Sequence, residues 1–252
     1  MKKNLITLWI LLWFLSSGIV LWWEFVPFVN NQFNVPWIYN PVSWFYEQKT
    51  EEEIEKEIEW DAVSKIDFYS DDSLQKFLDD NHPLSWSYEA SDIVKINSDF
   101  TTNKSSDFML RKDAAAYFEW MAWAFSNAFN FKAKLTINSA RRSQGFQRKL
   151  AASCSTSRCA TPWTSEHEAG LALDLWVNWV NIKAWSGIYY QWLVDNAHKY
   201  GFHNTYQKWM DVDWKMVEPR HWRYMWVELA TILHDNDKTF AEYFYQYIEP
   251  RI

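Results

Sequence analysis

The chain predicts an α+β domain, on the strength of two periodicities and one change in composition. Ala114, Phe118, Met121, Phe125 and Phe129 recur three to four apart, the spacing of a helix with one buried face. Leu171, Leu173 and Leu175 alternate with Ala172, Asp174 and Trp176, the period of a strand with both faces largely dry. Such segments interleave from about Asn81 onward, while the first eighty residues have a different character.

Taken in order, the chain opens Met1-Lys2-Lys3-Asn4 and then runs uncharged from Leu5 to Trp23. That length is close to the roughly 20 residues a helix needs to cross a bilayer. Lys2 and Lys3 argue for an N-terminus held inside, and Trp22 and Trp23 for the outer headgroup layer. Residues 5–23 therefore read as a transmembrane signal-anchor behind a cytoplasmic tail of residues 1–4, with the remainder outside the cytoplasmic membrane. A cleaved signal peptide shares the basic start and apolar centre, although no A-x-A site follows. Cleavage would make the protein secreted.

Residues 24–80 read as an extracytoplasmic linker and accessory segment. Pro27, Pro36 and Pro41 oppose a continuous helix. The acidic run Glu51–Glu59, with Ile54 and Ile58 four apart, is either a short helix extending towards Phe68 or a solvated spacer. The catalytic unit is expected over residues 81–252. Within it, Ser105 or Asp107 is expected to cap a helix over 110–129. A strand over 134–138 follows, with Leu135 and Ile137 on one face, and then a helix over 144–151. The strand at 171–176 precedes a helix over 185–199, which Gly201 stops. A strand over 213–217 leads to Glu218, and helices over 226–234 and 239–248 close the chain.

The formal net charge of −7 and the absence of a long basic run exclude a general nucleic-acid binder. Nineteen tryptophans are expected mostly as core or interface material. Cys154 and Cys159 form a disulfide, remain free thiols or act as a metal hook; the expected oxidising compartment puts the disulfide first.

The chemistry is concentrated in Ser165-Glu-His167-Glu-Ala-Gly170-Leu-Ala-Leu-Asp174 and Glu218-Pro-Arg-His221. Two imidazoles and a carboxylate suit zinc, which takes nitrogen and oxygen ligands and keeps one position for water at catalytic sites. We assign His167, Asp174 and His221 as ligands of one Zn2+, with Glu218 left free as the base that accepts the water proton. Gly170 eases the passage from a loop carrying His167 to a strand carrying Asp174. Glu166 and Glu168 alternate with His167 and are expected to point elsewhere, one of them orienting a ligand imidazole. His198 and His203 flank a helix end, as a charge partner of that end and a surface or site-edge residue. His82 and His234 are assigned to ordinary polar packing.

These motifs resemble the zinc D-alanyl-D-alanine carboxypeptidases of the VanY type, peptidase family M15. The pattern S-x-H-x-x-G-x-A-x-D is complete from Ser165 to Asp174, and E-P-W-H-[FW]-R-Y appears as Glu218-Pro219-Arg220-His221-Trp222-Arg223-Tyr224, with Arg220 in the aromatic position. S-G-Y-R-S-x-x-x-Q is matched from Ser139 to Gln147, with Arg141 in the tyrosine position. Trp163 stands where the family often has glycine in P-G-[TS]-x-H.

The resemblance covers about residues 81–248. It implies a central, mainly antiparallel sheet flanked by helices, and cleavage of terminal D-alanine from peptidoglycan stem peptides. An endopeptidase of the same fold and a catalytically silent cell-wall-binding protein are the alternatives. The resemblance also implies that Arg142 meets the substrate carboxylate or the carbonyl oxygen as it becomes negative, and that Ser143, Gln147 and Ser165 position substrate polar groups. Arg141 and Arg220 add positive charge near the pocket if their side chains face it.

Overall fold

The computed structural model describes residues 63–97, 99–103, 106–183, 187–208 and 215–249. The expected membrane span, the linker up to residue 62 and the whole acidic run lie outside the described residues. Among those described, no helix is long and apolar enough to cross a membrane.

A two-stranded antiparallel ribbon, β1 (Ile93–Lys95) with β2 (Met109–Arg111), leads directly into helix α1 (Lys112–Ala128). Next come β3 (Leu135–Ser139), α2 (Gln144–Ala151), β4 (Ala172–Val177) and β5 (Val180–Asn181). Helix α3 (Gly187–Asn196) continues as a 3-10 turn over Ala197–Tyr200, followed by β6 (Phe202–His203) and β7 (His221–Tyr224). Helices α4 (Val227–Asp235) and α5 (Phe240–Tyr243) follow, the latter passing into a π turn over Phe244–Ile248. The main sheet has the order β3-β4-β7-β6, with β5 on β4, and every pairing is antiparallel.

The amphipathic pattern of α1 explains its packing. Ala114, Phe118, Met121 and Phe125 are fully buried in a core shared with Leu135 and Leu173. The helix begins later than expected because residues 109–111 pair with β1. Neither Ser105 nor Asp107 is its cap: the cap position is Arg111, with no side-chain capping bond. Gly201 stops the 3-10 turn at φ +73, and an added Cβ would lie 2.7 Å from the Tyr224 ring. Thr239 and Glu242 form a reciprocal capping box at the start of α5.

Two further boundaries differ from expectation. Residues 215–217 form no strand; the strand lies later and carries His221 itself. The packed unit also starts well before Asn81. Val63, Phe68 and Phe77 are buried against Met225, Leu229, Phe240 and Phe244, with the Phe77 and Phe244 rings stacked at 4.0 Å. Residues 64–68 are turns and bends, so no helix extends to Phe68.

The β4–β5 hairpin turns through Asn178-Trp179, both at positive φ (47° and 67°). A two-residue loop with φ positive at both positions is the one for which Asn-Gly is preferred. Trp179 bears a left-handed backbone while its ring is largely solvent-exposed, so little packing offsets the strain. Trp179→Gly is expected to stabilise the fold by about 0.5–1 kcal/mol, the left-handed penalty less the added freedom of the unfolded chain. The check is the denaturant midpoint, which should rise without a change in slope.

Candidate metal centre

Sheet register brings two of the ligand candidates together. β4 and β7 pair with Asp174 directly opposite His221, adjacent to the Leu173–Trp222 pair. His167 arrives from the turn preceding β4. There Glu168 N–H donates to Ser165 O at 2.9 Å, and Gly170 N–H donates to His167 O at 3.2 Å. Gly170 has φ +72, and an added Cβ would lie 2.7 Å from Ile93 Cδ1, so the turn favours glycine. Arg142 N–H donates to His167 O at 3.0 Å and ties this turn to the start of α2.

The three donors face one another. His167 Nδ1 donates to Ala140 O at 2.8 Å, which leaves Nε2 as the lone-pair nitrogen, 3.7 Å from Asp174 Oδ2. His221 Nδ1 lies 3.6 Å from Asp174 Oδ1. The three ligand atoms lie within 4.8 Å of one another. All three residues are buried, yet His167 Nε2 and Asp174 Oδ1 have no hydrogen-bond partner. Burying polar atoms without a partner costs about 1–3 kcal/mol each, and a cation among them removes that cost. The donor set of two imidazole nitrogens and a carboxylate fits zinc.

Glu166 orients the second imidazole. Its Oε2 accepts from His221 Nε2 at 2.7 Å and from Thr205 Oγ1 at 3.0 Å, and its Oε1 accepts from Arg223 Nη1 at 2.9 Å. This directs His221 Nδ1 at Asp174. Arg223 is wholly buried, bonds the Lys76 carbonyl and lies over the Phe240 ring at 4.9 Å. Burial by itself would raise the Glu166 pKa, but the Arg223 charge and the His221 bond outweigh it and hold the carboxyl at about 2. Asp174 is likewise held well below the carboxylate range, the adjacent His167 and His221 rings overcoming burial. Burial lowers His167, favouring the neutral ring a metal requires. It also opposes charge on His221, but the adjacent Asp174 carboxylate and the bond to Glu166 prevail and raise that ring to about 9.

Arg142 sits on the other side of Asp174. Its Nη2 donates to Asp174 Oδ2 at 3.1 Å, its Nε to Ser139 Oγ at 3.1 Å and its Nη1 to Gln147 Oε1 at 3.3 Å. Glu218 is half-buried. Its carbonyl accepts from His221 N–H at 3.0 Å, and its Oε2 accepts from Arg220 Nη2 at 3.1 Å. Arg220 Nε lies 3.8 Å from Asp174 Oδ1, so one guanidinium spans the ligand carboxylate and Glu218.

The remaining expected site residues already have protein partners. Ser143 caps α2, its Oγ accepting from Phe146 N–H at 3.3 Å. Gln147 is buried and braces Arg142 while its Nε2 donates to Ala160 O at 2.8 Å. Ser165 Oγ accepts from His167 N–H at 3.3 Å. Cys154 and Cys159 are joined in a disulfide. The loop this closes pairs with the approach to Glu218, Met216 N–H donating to Ser157 O at 2.9 Å.

His198 and His203 are both buried rather than at the surface, and the His198 ring stacks on His234 at 3.7 Å. Arg141 does not reach the ligands; its guanidinium lies 4.0 Å from Glu89. Of the two arginines expected to add charge at the pocket, Arg220 does so. The Glu166–Arg223 pair was not anticipated; its signal was that Glu166 precedes one ligand and Arg223, the arginine of the matched pattern, stands two beyond another.

The chain also resembles known proteins in sequence and fold. Residues 107–227 match the sequence model of the VanY family, D-alanyl-D-alanine carboxypeptidase. A Bacillus subtilis protein named carboxypeptidase YodJ is 30% identical over 200 residues, 72% of each chain. The solved LdcB LD-carboxypeptidase is 28% identical with a TM-score of 0.60, over 69% of this chain and 86% of that one. A vancomycin-resistance D,D-pentapeptidase, VanY, solved with Zn(II), shares the fold at 21% identity and a TM-score of 0.54, over 68% of this chain and 98% of that one.

Removal of the carboxylate that orients His221 should weaken metal binding without dismantling the three donors. Glu166→Gln is expected to lower zinc affinity roughly 10–100-fold, read by competition against a chromophoric chelator. Unchanged affinity would show that Glu166 does not orient the ligand.

Proposed function

The chain belongs to the VanY family of D-alanyl-D-alanine carboxypeptidases, and on that premise we propose that it is a zinc-dependent enzyme removing terminal D-alanine from peptidoglycan stem peptides. The observation that carries this reading is the convergence of His167 Nε2, Asp174 and His221 Nδ1, with two buried ligand atoms lacking any hydrogen-bond partner. Zinc, when bound there, supplies a Lewis acid that lowers the pKa of water to about 7 and polarises the scissile carbonyl.

The chain's own residues do the rest. Glu218 takes the proton of the attacking water and delivers it to the leaving amine. The Glu218 carbonyl, tied to His221 N–H, keeps base and ligand on one turn. Arg142, braced by Ser139 and Gln147, meets the carbonyl oxygen as negative charge develops, where a pre-aimed donor contributes most. Ser143 and Ser165 fix the backbone from which these groups project, through the α2 cap and the His167 turn. The disulfide loop supports the approach to Glu218.

We place the catalytic domain outside the cytoplasmic membrane, held by the Leu5–Trp23 segment or secreted if that segment is cleaved. A C-terminal reporter active only in the cytoplasm would contradict this placement.

Digestion of tetra-, penta- and cross-linked muropeptides, read by product mass, tests the reaction. Loss of one terminal residue is expected. Shortening of tetrapeptides alone would indicate L,D-specificity, the activity named for LdcB. Separation of cross-links would indicate an endopeptidase, and intact substrate a binding protein. Glu218→Ala is expected to retain zinc while kcat falls at least 100-fold, since general acid–base catalysis contributes about 10²–10⁴. Metal content by atomic absorption and single-turnover rates check both halves.

A further inference from the structure

We propose that Arg220 receives the α-carboxylate of the leaving residue and so makes this enzyme select peptides with a free C-terminus. This rests on the carboxypeptidase reading above and goes further by giving Arg220 and Arg142 separate substrate atoms. Glu218 hands its proton to the leaving amine, and in a C-terminal residue the carboxylate carbon lies two bonds from that amine. Arg220 Nη2 is 3.1 Å from Glu218 Oε2, so it stands within reach of a carboxylate bound there. Its side chain remains about one-third exposed. Among the described residues only Nη2 of this guanidinium makes a hydrogen bond. Arg142, by contrast, bonds Ser139, Gln147 and Asp174 with one N–H from each of its three nitrogens, which leaves the second N–H of Nη1 and Nη2 for the carbonyl oxygen.

Charge balance supports the assignment. Asp174 and Glu218 are matched by Arg142 and Arg220, and a divalent cation leaves the cleft with excess positive charge, which an anionic substrate end relieves. A guanidinium suits this task because its planar fork offers a carboxylate two parallel donors. Where the family pattern has an aromatic side chain, this chain has the cation.

The test uses a peptide whose scissile amide is replaced by a methylene-amine, so that it binds without being cut, with either a free or an amidated C-terminus. Zinc-loaded wild type is expected to bind the acid roughly tenfold more tightly than the amide, the value of a charged hydrogen bond. Arg220→Met should abolish that ratio by weakening the acid alone, and Arg220→Lys should restore part of it. Equal weakening of both ligands, or an unchanged ratio, would overturn the assignment. Product masses from wild-type digestion report separately on the reaction. Cross-link separation with an intact acid preference would remove the carboxypeptidase reading and leave the carboxylate contact standing.

A different observation carries a second inference, concerning the tryptophans themselves. Trp163, Trp179 and Trp226 have φ of 77°, 67° and 71°, in the positive range that Gly170 (72°) and Gly201 (73°) also occupy. Trp226 combines that φ with ψ 153°, a region essentially confined to glycine. Trp179 is the second residue of an Asn-Trp hairpin loop in which Asn-Gly is preferred. Trp163, between Pro162 and Thr164, stands where the VanY-type pattern often has glycine. The chain has nineteen tryptophans and five glycines, against an ordinary glycine usage of about 7%.

We infer that a codon translated here as tryptophan, most simply UGA, is read as glycine in the host, and that the native polypeptide carries glycine at these three positions. Tandem mass spectrometry of peptides from the protein isolated from its own cells decides the matter. Glycine at positions 163, 179 and 226 is expected, and tryptophan there overturns the inference.

Discussion

The structure depends on the register between β4 and β7. Antiparallel pairing puts Asp174 directly opposite His221, and side chains opposite one another across a ladder share a face. A slip of one residue would turn one of the two to the other side of the sheet and replace the site with an unpaired buried charge. The register is held by the flanking apolar layer. Leu173, Leu175 and Trp222 are buried in the same core as α1, so a slip would also carry them out of it. The same burial that stabilises the sheet therefore fixes the geometry of the ligands.

That arrangement concentrates charge in a dry place. Asp174 and Glu166 are buried carboxylates, and Arg142, Arg223 and the His221 ring stand against them. An isolated buried charge would be too costly to keep, so each is matched within hydrogen-bond distance. The network has two tiers. Glu166 and Arg223 form a closed pair beneath His221, braced by the Lys76 carbonyl and the Phe240 ring. Asp174 faces His167, His221, Arg142 and Arg220. The lower tier makes the site depend on packing between residues 63–80 and the C-terminal helices, since Lys76 and Phe240 come from those segments.

Much of this was legible in the residues. The α1 stripe, the Gln144–Ala151 helix, the alternation at 171–176 and the stop at Gly201 each rest on local rules, and each lies within a residue or two of its expected place. No strand forms over the described part of the expected segment, 215–217, where the apolar pattern is weak; the partner of β4 is chosen by packing, which favours the segment carrying Trp222 and Tyr224. The domain boundary at Asn81 failed for a related reason. Val63, Phe68 and Phe77 are too widely spaced to show a periodicity, and their burial comes from α4 and α5, far along the chain. The roles expected of Ser143 and Gln147 were read from alignment to a pattern, which does not distinguish a group facing substrate from one bracing a neighbour.

By itself the sequence determined the chemical inventory. Two imidazoles, an aspartate and a free glutamate at these spacings suit zinc hydrolysis because donor types and their separation along the chain are local properties. Only the tertiary structure decided which atom of each ring points inward. His167 presents Nε2 because Ala140 O takes Nδ1, and His221 presents Nδ1 because Glu166 takes Nε2. Those choices are made by partners 27 and 55 residues away, and contacts at that separation exist only once the chain has folded.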